Sequence, residues 1–110
     1  VNYQHKDLAA GRWKEMPLIE RMANIGGEVE RALKWRAKNN ADYSRQAFER
    51  ALELIDLSLE YSNKPSHLKE IARLREALVD YFCGTNEFGS TESSWRSYFS
   101  CFTYAARRGY

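Results

Sequence analysis

The sequence predicts an all-α protein, an antiparallel up-and-down four-helix bundle preceded by an N-terminal arm. Two observations carry that reading. Four segments place apolar residues at alternating intervals of three and four, the mark of helices that each bury one face. The breaks between them are short and rich in Asn, Asp, Ser, Pro and Gly, and short connections force consecutive helices to run antiparallel. A chain of 110 residues fits one domain and buries roughly 60 to 70% of its extended surface on folding. One core therefore forms without a metal or a disulfide. Residues 1–16 are assigned to the arm and residues 17–110 to the bundle.

The arm is polar and weakly patterned, with Gly11 as a breaker and Trp13 as the side chain best suited to dock on the bundle. Pro17 suits the first turn of a helix, where its missing N–H costs nothing. That first helix runs to about Lys38 on the row Leu18, Met22, Ile25, Val29, Ala32 and Arg36, with Ile19, Leu33 and Trp35 beside it. Gly26 and Gly27 in its middle each cost about 1 kcal/mol against alanine. Close packing is the expected reason. A phosphate-binding glycine loop is excluded, because no strand precedes the pair and no Lys-Ser/Thr follows it.

Residues 39–42 form a polar connector in which Asn40 or Asp42 can cap the next helix. The second helix, residues 43–61, carries Phe48, Leu52, Ile55 and Leu59 with Ala47, Ala51 and Leu54 alongside. That surface is wider than one partner needs, so this helix is expected to be the most buried. Ser66 is the expected cap of a third helix over residues 67–83. Leu68, Ile71, Leu74, Leu78 and Phe82 or Tyr81 form its apolar face, Lys69, Arg73, Glu76 and Asp80 its wet one, and Gly84 its stop. Phe88 in the following loop is expected to fold back as a plug. Ser90 or Thr91 caps a fourth helix over residues 91–108, with Trp95, Tyr98, Phe99, Phe102 and Ala106 in register and Tyr104 off the stripe. Ser93, Ser97 and Ser100 give that helix a narrow small-residue face.

With 17 basic and 15 acidic residues, the net charge of +2 is too balanced to imply a nucleic-acid or membrane partner by itself. No apolar run approaches a membrane span and no signal-peptide core is visible, so a cytoplasmic location is the default expectation. Cys83 and Cys101 are expected to be buried, reduced thiols rather than a disulfide. The look-alike pieces at Arg31, Arg50 and Glu76 recur at unequal offsets, which excludes a solenoid.

No catalytic, cofactor or metal residue is assigned. His5 lies in the arm and His67 at a helix start, and no His or Cys repeats at ligand spacing. The acidic row Glu49, Glu53, Asp56 and Glu60 lies opposite an apolar stripe, where a solvated face is the expectation. Two histidines near segment ends leave Ser and Cys without a base, which argues against nucleophilic catalysis. The candidate partner or ligand surface has two parts. One is the basic group Arg31, Lys34, Lys38 and Arg45 around the first turn, and the other is Trp95, Tyr98 and Phe102 on the aromatic fourth helix.

The central pair of helices, residues 30–59, resembles the helical pair of the HEPN and nucleotidyltransferase substrate-binding bundles, through Tyr43, Ala47, Ala51 and Leu52 after a short polar turn. The pattern NIGGEVERAL, YSRQAFERALELIDL, DYFCGTNEFGST and YFSCFTYAAR also resembles a small bacterial helical family of no assigned activity. The resemblance implies a four-helix bundle that dimerises and accompanies a nucleotidyltransferase. Catalytic HEPN ribonucleases carry an Arg followed four to six residues later by His. Here, with four to six residues between, Arg96 is followed by Cys101, Phe102 and Thr103. Ribonuclease activity is therefore not carried over. The sequence reads as a noncatalytic binding or assembly module without a cofactor, self-associating as a homodimer, and the alternative is a nucleotide- or RNA-binding accessory subunit.

Overall fold

The structure is a computed structural model that describes residues 11 and 13–108. Most of the expected arm, His5 included, lies outside the described residues. Four long helices follow a helical turn at residues 13–15: α1 (Leu18–Ala37), α2 (Ala41–Tyr61), α3 (Pro65–Cys83) and α4 (Glu92–Arg107). They form the all-α bundle that the periodicity predicts. α1 packs against both α2 and α4, and α3 packs on α2. The centre is thus shared: α2 buries a broad face as expected and packs on α1 and α3, while α1 packs closely on both α2 and α4.

Each boundary has a local cause. Pro17 sits just before α1. The chain leaves α1 through Asn39, whose φ of 62° is left-handed, and Asn40 N donates back to Trp35 O at 2.9 Å. Asn is among the few side chains that accept that backbone. Asn40 then caps α2 by accepting from Tyr43 N at 3.0 Å. The reversal between α1 and α2 is complete within three residues. α3 begins at Pro65 and not after Ser66 as expected, because proline's fixed φ and absent N–H suit the first helical position. Thr91 caps α4 with Ser94 in a reciprocal box, each side-chain oxygen accepting the other's backbone N–H.

The core is one cluster. Met22, Ile25, Val29 and Leu33 of α1, Ala47, Phe48, Ala51 and Ile55 of α2, Ile71, Leu74 and Leu78 of α3, and Trp95 and Phe99 of α4 are all buried. Gly26 is explained by this packing: a Cβ there would lie 2.8 to 2.9 Å from Phe99 Cβ, Cγ and Cδ1. Trp13 also belongs to the core, and its indole N–H donates to Ser58 Oγ at 3.0 Å. Buried polar links reinforce the crossings, with Ser44 Oγ donating to Ala32 O at 2.8 Å and Arg50 pairing with the largely covered Glu28 at 2.8 Å.

Three expectations change. Phe88 is no plug: it is 63% exposed, because its backbone and not its ring ties the loop. Asp80 accepts from Glu87 N at 2.8 Å and Phe88 N at 3.0 Å, so this wet-face carboxylate holds the loop down. Cys83 and Cys101 are exposed free thiols rather than buried ones. Cys83 lies in the last turn of α3, and Cys101 falls one position off the Tyr98 and Phe102 row. The acidic row of α2 is only partly a solvent face, since Asp56 pairs with Arg75 of α3 at 2.9 Å.

Candidate functional site

Three of the open hollows between the helices bear on the candidate residues. The largest, about 520 Å³, lies between α1 and α4 over Ala23, Gly26, Gly27, Glu30, Thr103 and Tyr104. A second, about 380 Å³, lies at the α1–α2 turn, where Arg36, Asn39, Ser44 and Arg45 surround Phe48 and Phe82, with Cys83 on the rim. The third, about 290 Å³, separates α3 from α4.

The basic residues singled out by sequence do not converge. Arg31 is ion-paired to Glu28, which also holds Arg50. Lys38 places its ammonium 5.2 Å from the Trp35 ring centre, and Lys34 is simply exposed on α1. Arg45 alone reaches a hollow, loosely held between Asp42 at 3.5 Å and Glu49 at 3.9 Å. Its companion there is Arg36, which the sequence reading placed in an apolar row. Its guanidinium lies 4.7 Å from the Tyr81 ring centre and 5.6 Å from that of Phe82, without a carboxylate among the described residues. The signal was available: a cation in register with an apolar stripe reaches either an aromatic face or a rim.

The aromatic residues of α4 divide by register. Trp95 is buried and stacks on Phe99 with ring centres 6.2 Å apart, while Tyr98 and Phe102 are half-buried. The exposed ring of α4 is Tyr104, which is 61% exposed beside the α1–α4 hollow. Tyr98 Oη and Trp95 Nε1 are buried without a hydrogen-bond partner of sound geometry among the described residues. Burial, and secondarily the nearby Glu70 charge, push the Tyr98 hydroxyl well above the ordinary tyrosine range. Glu70 is close enough to bear on it, yet no bond of sound length and angle joins them.

Arg96, the arginine that the HEPN resemblance brings forward, is clamped by Glu30 through Nε at 2.9 Å and Nη2 at 3.1 Å. It pins α4 to α1. No group of three or more His, Cys, Asp or Glu residues is placed to hold a metal among the described residues, and none of their helices is long and apolar enough to cross a membrane. Comparison with protein-family models, curated proteins and solved structures finds no match.

Proposed function

We propose that this protein is a noncatalytic helical assembly module that forms a homodimer through the α1–α4 face. Gly27 carries the reading. Gly26 is required by Phe99, but Gly27 is exposed, and a Cβ added there meets nothing within 4 Å. A glycine inside a helix costs about 1 kcal/mol against alanine, and nothing among the described residues offsets that cost. The close approach of a second chain supplies the reason. The same face offers Ser100, Thr103 and the projecting Tyr104, whose ring is large enough to enter a hollow of about 520 Å³. A two-fold arrangement makes the contact self-complementary, each Tyr104 seated over the other chain's Gly27. We place its action in the cytoplasm, where the exposed thiols of Cys83 and Cys101 stay reduced.

Light scattering at micromolar concentration is the test. The expected mass is twice 12.9 kDa, returning to one chain in Gly27→Leu and Tyr104→Ala. A single-chain mass across the micromolar range in the unaltered protein overturns the proposal.

A second reading is supported by the α1–α2 hollow. Arg36 and Arg45 over a floor of Phe48 and Phe82 suit a phosphate joined to a planar ring, as in a nucleotide or the end of an RNA strand. Thermal shifts with nucleotides and short RNAs test it. Stabilisation that disappears in Arg45→Ala supports an accessory nucleotide-binding role, and a flat response rejects it.

A further inference from the structure

The end of the bundle formed by the α1–α2 turn and the α3–α4 loop carries a projecting ring and a hollow of opposite charge. Phe88 is the most exposed large hydrophobic side chain among the described residues, and its loop holds it there. Asp80 accepts from Glu87 N and Phe88 N, Asn86 N donates to Asp80 O, and the Asn86 amide bonds Ser90 in both directions. A ring on so firmly tied a support is the form that binding anchors take, because little conformational freedom is left to lose on contact. The carboxylates beside it lack a cation: neither Asp80 nor Glu87 has an ion-pair partner among the described residues. The hollow of about 380 Å³ at the same end is the complement. The Phe48 and Phe82 rings form its floor, and Arg36 and Arg45 line it, the first without a carboxylate among the described residues and the second loosely held. Cys83 on its rim is the last residue of α3 before the loop, so ring and hollow open on one end of the molecule. The chain's own Phe88 does not line it.

We propose that this end is a second self-association surface, in which Phe88 of one chain enters the Arg36 and Arg45 hollow of a second copy with Glu87 facing Arg45. A two-fold axis crossing the end midway between loop and hollow lets each copy return the contact, ring to hollow, twice over. Charge selects the occupant: an aromatic ring flanked by carboxylates suits an aromatic hollow rimmed by arginines. The surface is separate from the α1–α4 face and stands whether or not that face dimerises. Where both contacts form, the end contact joins dimers into larger assemblies. Two rings and their flanking charges make a small interface, so association is expected at about 0.1 to 1 mM, above the micromolar range in which the α1–α4 contact is read.

Sedimentation equilibrium of the full chain from about 10 μM to about 1 mM tests this, with Gly27→Leu as the background that removes the α1–α4 contact. In that background the mass is expected to rise from 12.9 kDa towards twice that value and to stop there, as a closed two-fold contact requires. Phe88→Ser should weaken the association about tenfold or more and leave the helical circular dichroism unchanged, since the ring is exposed. Glu87→Lys and Arg45→Glu should each weaken it about threefold or more, and the two together should restore it, because each altered loop then faces an altered hollow. A mass that stays at 12.9 kDa up to about 1 mM overturns the proposal. So does a rise that Phe88→Ser leaves intact, one that continues past two chains, or a double variant no better than the single ones. Stabilisation by a nucleotide without any rise in mass gives the hollow to that ligand and overturns the proposal as well. A single-chain mass for the unaltered protein at micromolar concentration, followed by this rise, rejects the α1–α4 dimer and supports the end contact.

Discussion

Two adjacent glycines with the same cost in a helix have opposite reasons for being there. Gly26 is held by Phe99, whose Cβ, Cγ and Cδ1 lie 2.8 to 2.9 Å from where a Cβ would stand. Gly26→Ala forces the Phe99 base and α4 outward, and overpacking of this kind costs about 1 to 3 kcal/mol, exceeding the gain in helix propensity. Gly27→Ala meets open space and is expected to stabilise the single chain by about 0.5 to 1 kcal/mol. Urea unfolding at low protein concentration checks both signs. Tyr98 gives a prediction in pH. Its folded hydroxyl is raised above the ordinary value, by burial first and Glu70 second, while in the unfolded chain it ionises near pH ~10. The folded state then holds the proton that the unfolded state loses. The stability Tyr98 contributes is complete below about pH 10 and is lost as pH rises from there towards the raised value. Unfolding curves from pH 8 to 11 should fall more steeply for the unaltered protein than for Tyr98→Phe. Equal slopes would contradict the burial of that hydroxyl.

Helix ends set the architecture more than helix interiors do. The reversal from α1 to α2 depends on two asparagines in different roles, Asn39 in a left-handed backbone and Asn40 as the cap on Tyr43 N. Asn40→Ala removes the cap and should cost about 1 kcal/mol, measured as a drop in the urea midpoint with unchanged slope. The connector between α3 and α4 is organised differently. Asp80 takes two backbone N–H groups, and Asn86, also left-handed at φ 58°, exchanges hydrogen bonds with Ser90 through both ends of its amide. The caps could be narrowed in the sequence to Asn40 or Asp42, to Gly84 and to Ser90 or Thr91, since each depends on one local residue type, and the structure selects Asn40 and Thr91. The Asp80 tether could not, because nothing in the sequence distinguishes a carboxylate in solvent from one that meets a loop seven residues on.

At the scale of the molecule, α1 is gripped on two sides while α4 leans on α1 alone among its strong contacts. The outer side of α4 beside the α1–α4 hollow is where the proposed second chain would add most. If the protein is a dimer, its midpoint of thermal unfolding rises with protein concentration, as mass action demands. The midpoint of Gly27→Leu should not. The sequence named Arg45, Trp95 and Tyr98, which line hollows in the structure, and Arg31, Lys34 and Lys38, which lie along α1. It did not reveal that Glu28 occupies Arg31, or that Arg36 reaches the Arg45 hollow over Tyr81 and Phe82. Ion pairs and ring contacts between helices depend on rotation and crossing, which periodicity does not encode.

The sequence alone determined that the chain is helical, where each helix starts and stops to within a residue or two, and which face of each is apolar, because capping and periodicity are local properties. Only the tertiary structure decided that α1 shares the centre with α2, that Trp13 is core and Phe88 is not, and that both thiols face water. It also decided that the Tyr98 hydroxyl is buried beside Glu70. Those outcomes follow from how four faces are rotated against one another. Residues one position apart on a helix differ by about 100° in direction, so a small rotation separates a buried ring from an exposed one.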